Sequence, residues 1–202
     1  VWSWGPNGYG QFGNANNTNH TPPALVSGLS SVQAIAAGGD HSLAVTTSGD
    51  VWSWGLNSDG QLGTGGTANS NVPVHVTTVA TTNLTGVVGV VAGWHHSLAR
   101  KADGTVWSWG LNTEGQLGSG AISSARTRAD QVVQLAQSRA IAAGRHHSLA
   151  VRQDGSVWGW GYGGHGQLGN DSGATQPAPV QAIGISGIDS VDAGGYFSLA
   201  LG

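Results

Sequence analysis

Three features of this sequence predict an all-β fold, a β-propeller with about four four-stranded blades in the chain. The first is a pentapeptide present four times: Val1-Trp2-Ser3-Trp4-Gly5, Val51-Trp52-Ser53-Trp54-Gly55, Val106-Trp107-Ser108-Trp109-Gly110 and Val157-Trp158-Gly159-Trp160-Gly161. Successive copies begin 50, 55 and 51 residues apart. A period of that size marks stacked supersecondary units, none able to bury its apolar face alone. The second is that each unit breaks into about four short apolar stretches separated by Gly, Asn, Asp and Ser, as a blade requires. The third is that no segment sustains a 3.6-residue apolar period. Eight of the nine tryptophans lie in the pentapeptides, so the repeat and the core are one pattern.

Each unit opens on its Trp strand. Residues i and i+2 of a strand point the same way, so Trp2 and Trp4 share a face. Gly5-Pro6-Asn7-Gly8 ends that strand. The loop Gly10-Gln11-Phe12-Gly13 follows and recurs as Gly60-Gln61-Leu62-Gly63, Gly115-Gln116-Leu117-Gly118 and Gly166-Gln167-Leu168-Gly169. Its glycines suggest backbone angles closed to other residues, and its apolar residue pins the loop to the core. After a variable polar stretch, Pro22-Pro23-Ala24-Leu25-Val26 reads as an edge strand or extended connection, because proline cannot donate to a ladder.

Val32 to Gly38 is rich in small and β-branched residues and reads as a strand packed closely against its own copies. Those copies are Val87 to Gly93, Ser138 to Gly144 and Ile188 to Gly194. His41-Ser42-Leu43-Ala44-Val45 forms the next strand, and Ser48-Gly49-Asp50 turns the chain back into the following pentapeptide. Two longer stretches depart from this plan. Thr64 to Thr85 is expected as a surface loop or lengthened outer strand, and Ile122 to Gln137 as a short helical turn.

The reading is of one propeller-type repeat domain over 1–202, with repeats starting near Val1, Val51, Val106 and Val157. The C-terminal Gly194 to Gly202 looks like the first half of a hairpin whose second half is Val1 to Gly5. The last blade is therefore expected to be split between the two. Three readings stay open: a piece of a longer array, a half-ring that two chains complete as eight blades, and a tight closed ring of four. Residue 1 already lies within a motif and no Met precedes it, so the chain is expected to be processed, engineered or trimmed.

Composition narrows the classes. With 8% charged residues and a net charge of −3, the chain lacks the charge that keeps segments disordered. No apolar run approaches the roughly 20 residues of a membrane span. The absence of cysteine excludes disulfides and thiolate metal sites. Sparse charge and low Lys content fit a secreted or surface-displayed bacterial protein. All seven basic residues lie between Arg100 and Arg152. Against ten acids they form too thin a patch for nucleic-acid binding.

The recurring Ala-Gly-x-x-His-Ser-Leu-Ala and Asp-Gly-x-Val-Trp-Ser-Trp-Gly-x-Asn-x-x-Gly-Gln-Leu-Gly, taken together, resemble the regulator of chromosome condensation repeat. The resemblance covers essentially the whole chain. It implies a propeller, most often of seven blades. The family includes an exchange factor for the small GTPase Ran, a plant UV-B photoreceptor and a secreted bacterial inhibitor of β-lactamases. The repeat thus implies a mode of binding and leaves the ligand open. No exchange loop is identifiable, so the exchange role is not carried over.

Strand parity brings two variable dipeptides of each unit to one rim. The first set is Gly39/Asp40, Trp94/His95, Arg145/His146 and Gly195/Tyr196. The second is Gly8/Tyr9, Ser58/Asp59, Thr113/Glu114 and Gly164/His165. Variable side chains on a constant frame make a recognition surface. The candidate partner-binding residues are therefore Trp94, His95, Arg145, His146, Tyr196, Tyr9, Asp59, Glu114 and His165. In the inhibitor and photoreceptor that the repeat resembles, aromatics at matching turns carry partner contacts. The Trp pairs recur in every unit and read as packing between blades. His41, His96 and His147 share one repeat position with Phe197, so packing plus a hydrogen bond is expected there rather than catalysis. Neighbouring His95 and His96 point to opposite strand faces, which argues against a zinc pair. No nucleophile elbow or phosphate-binding loop is present. The expectation is a non-catalytic module without metal or cofactor, binding a protein partner. A sugar-binding propeller and a self-assembling half-propeller are the alternatives.

Overall fold

The computed structural model describes residues 1–202, the side chains of His20 and Thr21 excepted. Among the described residues there are sixteen strands and no helix. They are β1 (Trp2–Gly5), β2 (His20–Leu25), β3 (Val32–Ala37), β4 (His41–Thr46), β5 (Val51–Gly55), β6 (Ser70–His75), β7 (Val87–Ala92) and β8 (His96–Lys101). The second half holds β9 (Val106–Leu111), β10 (Ala125–Gln131), β11 (Ser138–Ala143), β12 (His147–Arg152), β13 (Val157–Gly161), β14 (Gln176–Gln181), β15 (Ser190–Ala193) and β16 (Ser198–Leu201).

Three complete antiparallel blades result, β3 to β6, β7 to β10 and β11 to β14. Two half-blades flank them: β1–β2, the outer pair of one blade, and β15–β16, the inner pair of another. The inner strands β3, β7, β11 and β15 lie side by side in that order. The structure is an open propeller, not a closed ring. The helical turn expected within Ile122 to Gln137 is instead strand β10. Its Arg126–Asp130 ion pair has helix spacing, but a register shift between those residues brings them together on a strand. The long stretch Thr64 to Thr85 supplies β6 and then a bridge from Thr78 to Ala129 of the next blade.

Blades are joined by a polar clasp of indole, serine and histidine that is complete at Gln61 and Gln116 and partial at Gln11 and Gln167. The indole Nε1 of Trp109 donates to the Gln61 carbonyl at 2.8 Å, and Ser97 Oγ donates to the same oxygen at 3.0 Å. Ser97 Oγ spends its hydrogen there, so it accepts from His41 Nε2, 2.9 Å away. That fixes His41 as the neutral Nε2–H tautomer. Burial pushes its pKa down to about 3. The same links join His96 to Ser148 and His147 to Ser198. Burial lowers these imidazoles to about 3 and about 4. The expected packing-plus-hydrogen-bond role of this position is what the structure shows.

Glycine is required beside each clasp. A Cβ on Gly93 would lie 2.2 Å from the His96 ring. Gly63 has a φ of 67°, and a Cβ there would meet the Trp109 indole at 3.0 Å. Trp54, Trp109 and Trp160 are buried between blades, each with its companion Trp52, Trp107 or Trp158 packed against the same cluster.

Candidate functional site

The rim is built from two kinds of turn. Tight turns join the inner two strands of each blade: residues 38–40, 93–95, 144–146 and 194–197. Looser turns follow β1, β5, β9 and β13. Each looser turn is held by its own loop glutamine, whose Oε1 accepts the backbone N–H of Tyr9, Asp59, Glu114 or His165 at 2.9 to 3.0 Å. Side chains on these turns are therefore aimed by a frame that does not change between blades.

Contacts across the rim bring the two sets together. His95 Nδ1 lies 2.6 Å from Asp59 Oδ2. The His165 and Tyr196 rings meet edge to face at 5.3 Å. Asp40 Oδ1 accepts from Gln11 Nε2 at 3.4 Å. His146 has its pKa lowered, by burial first and then by the neighbouring Arg145 charge, with Glu114 opposing.

The inner turns also touch one another in a continuous arc. Gly39 N–H donates to the Trp94 carbonyl, and Arg145 N–H to the Gly195 carbonyl, both at 3.2 Å. Trp94 lies against Gly39, where a Cβ would come within 3.4 Å of its ring. The Arg145 guanidinium sits 4.4 Å over the Trp94 ring and 5.8 Å from that of Tyr196. Trp94 remains 45% exposed and Tyr196 41%. A cation between two half-exposed aromatics holds its own position and leaves aromatic area for a partner.

Five of the nine candidates, Trp94, Arg145, Tyr196, His146 and His165, form one connected group, His146 meeting the Tyr196 ring at 6.4 Å; His95 and Asp59 form a separate pair, and the Glu114 charge acts on His146. No ring contact joins Tyr9 to the arc among the described residues. Sequence reasoning missed Tyr162. It packs edge to face against His165 at 5.6 Å and Tyr196 at 6.4 Å. Gly164 leaves room for it, since a Cβ there would lie 2.3 Å from the phenol oxygen. The signal was an aromatic residue where the other repeats have Pro6, Leu56 and Leu111.

Fold and rim define a repeat-built β-propeller whose sequence variation gathers at one mouth. The chain belongs to the RCC1-like domain family, whose pattern it matches over residues 1–200. It is similar to the mitochondrial RCC1 domain-containing protein RUG3 of Arabidopsis thaliana, 32% identical over 100% of this chain and 47% of that protein. The ultraviolet-B receptor UVR8 of the same plant is 31% identical over 90% of this chain and 41% of that protein. Human WBSCR16 superimposes with a TM-score of 0.85 and 26% identity, covering 100% of this chain and 54% of the other. Yeast RCC1 (Prp20), solved bound to Kap60, gives a TM-score of 0.80 and 26% identity over 99% and 49%. The chain spans about half the length of these solved relatives and less than half that of the two plant proteins.

Proposed function

We propose that this chain is a non-catalytic interaction module that binds a protein partner through the arc Trp94, Arg145 and Tyr196. One observation carries the reading. An arginine stacked between two half-exposed aromatics spans the turns of successive rigid blades. Little side-chain freedom is left to lose on association, and aromatics and arginine are the residues that dominate protein interfaces. Solved relatives support it by analogy: yeast RCC1 was captured with Kap60, and Prp20p was studied for binding to Gsp1p and histones. The test is a peptide library selected on the wild-type chain and re-measured on Trp94→Ala/Arg145→Ala. Selected peptides should lose at least tenfold in affinity, with the melting temperature unchanged. Peptides that bind both proteins equally would defeat the proposal, and enrichment on a glycan array instead would favour a sugar ligand.

A further inference from the structure

We propose, on the basis of that rim reading, that the partner presents a carboxylate to Arg145, next to an apolar or aromatic side chain that packs on Trp94. Trp94 lies between β7 and β8, and Arg145 between β11 and β12. Both belong to complete blades, so the pair does not depend on the flanking half-blades.

Arg145 stands apart from the other charged groups of the chain. Among the described residues the ion pairs are His95–Asp59, Arg126–Asp130 and Arg139–Asp189, and none includes Arg145. Its Nε is buried without a hydrogen-bond partner. The acids nearest to it on the rim are already engaged. Asp59 Oδ2 meets His95 Nδ1 and also accepts Ser58 Oγ at 3.1 Å. Asp40 accepts from Gln11, and Glu114 acts on His146. His146 does not compete for an anion at neutral pH, because burial and the Arg145 charge keep its pKa below the usual value for histidine. A half-buried cation with no counter-charge is therefore left for a partner to neutralise.

The guanidinium is also positioned in advance. Its backbone N–H is tied to the Gly195 carbonyl, and its head is held over the Trp94 ring. Trp94 rests in turn against Gly39 of the preceding blade. Contact with a ring uses the flat face of a guanidinium and leaves the N–H donors along its edge free. A carboxylate meets that edge with two oxygens, in a paired charge-assisted bond. Little side-chain freedom is lost when the bond closes, since the ring has already fixed the fork. The exposed part of Trp94 then covers the residue beside the acid, as an aromatic anchor does in protein interfaces.

The number of cations selects a carboxylate over a phosphate. Phosphate groups on peptides are received by clusters of arginines. Arg145 has no second cation beside it. Arg126 and Arg139 are paired with acids. Arg100 and Lys101 end β8 and Arg152 ends β12, at the ends of those strands away from the rim. One planar guanidinium matches one monoanion.

The test is affinity selection, read by mass spectrometry, from a pool of random dodecapeptides, on the wild-type chain and on Arg145→Gln. The pool is used both amidated and with free carboxyl ends. From the amidated pool the wild type should enrich Asp or Glu next to an aromatic or large apolar residue, and Arg145→Gln should not. The same preference for wild type from the free-acid pool alone supports a carboxylate at a chain end. The strongest amidated peptide is then remade with its acid changed to the amide. That change should weaken binding about 10- to 100-fold on the wild type, the loss expected for a hydrogen bond to a charged group. On Arg145→Gln it should weaken binding no more than about twofold. Melting curves show that both proteins are folded. An equal loss on the two proteins overturns the carboxylate contact. Tighter binding when phosphoserine replaces the acid favours a phosphate partner and overturns it as well. Peptides that depend on Trp94 but carry no enriched acid overturn the partner chemistry and leave the rim as the binding surface. A pool that yields no binder defeats the rim reading and the carboxylate with it.

Discussion

Acid should loosen this propeller through its interior before its carboxylates titrate. His41, His96 and His147 are fully buried, neutral, and held by burial at pKa values of about 3, 3 and 4. In the unfolded chain each returns to about 6.5. Between those values the unfolded state binds a proton that the folded state refuses, so stability falls as pH falls below 6.5. Each ring contributes about 1.4 kcal/mol per pH unit in that window. Lowering the pH from 7.5 to 5.5 crosses about one unit of it, and three rings together remove about 4 kcal/mol. That is a large share of the roughly 5–15 kcal/mol of a typical domain. Asp103 and Asp154, held below the usual carboxylate range by hydrogen bonds from Thr105 and Ser156, stay ionised in both states across this interval. Urea unfolding at the two pH values measures the drop. His96→Phe, which copies the Phe197 found at the same repeat position, should remove about a third of it. Equal stability at pH 7.5 and 5.5, or an unchanged slope in His96→Phe, would refute the assignment of neutral buried histidines.

Other outcomes follow from the clasps and turns. Ser148→Ala removes the acceptor of His96 Nε2 and leaves a buried N–H alone, so about 1–3 kcal/mol should be lost in urea unfolding. Gly93→Ala sets a methyl 2.2 Å from the His96 ring and should lower the melting temperature further than Gly66→Ala, which meets nothing within 4 Å. Asn57→Ala cuts the side-chain bonds to Gly66, Ala68 and Leu62, so hydrogen exchange should speed up across residues 62–69 while the blade strands stay protected. Arg145→Ala should cost no more than about 1 kcal/mol, because its stacking is at the surface.

Much of this was legible in the residues. The Trp-x-Trp copies gave strand, period and blade because indoles at i and i+2 share a face. Phe197 in a histidine column pointed to packing, and the three histidines are buried with a serine partner each. Parity of the strands places Asp59 and His95 on one rim, and the structure pairs them. The helical turn expected within Ile122 to Gln137 is a strand over Ala125–Gln131, whose register shift brings Arg126 and Asp130 together at a spacing that a helix would also give. Tyr162 was overlooked because it lies outside the variable dipeptides, at a position that is aliphatic or proline in the other repeats.

The sequence by itself determined what recurs: blade composition, glycines where an indole or imidazole presses on the backbone, and the polar residues of each clasp. Local spacing is enough for these, since each depends on strand alternation and on angles only glycine adopts. Tertiary structure decided what depends on neighbouring blades. It showed that the Gln61 carbonyl accepts from two different side chains of the next blade, Ser97 and Trp109, and that Arg145 lies over Trp94 rather than beside an acid. Those relations span from 36 to 51 residues of chain, and only the packing of one blade against the next brings them into contact.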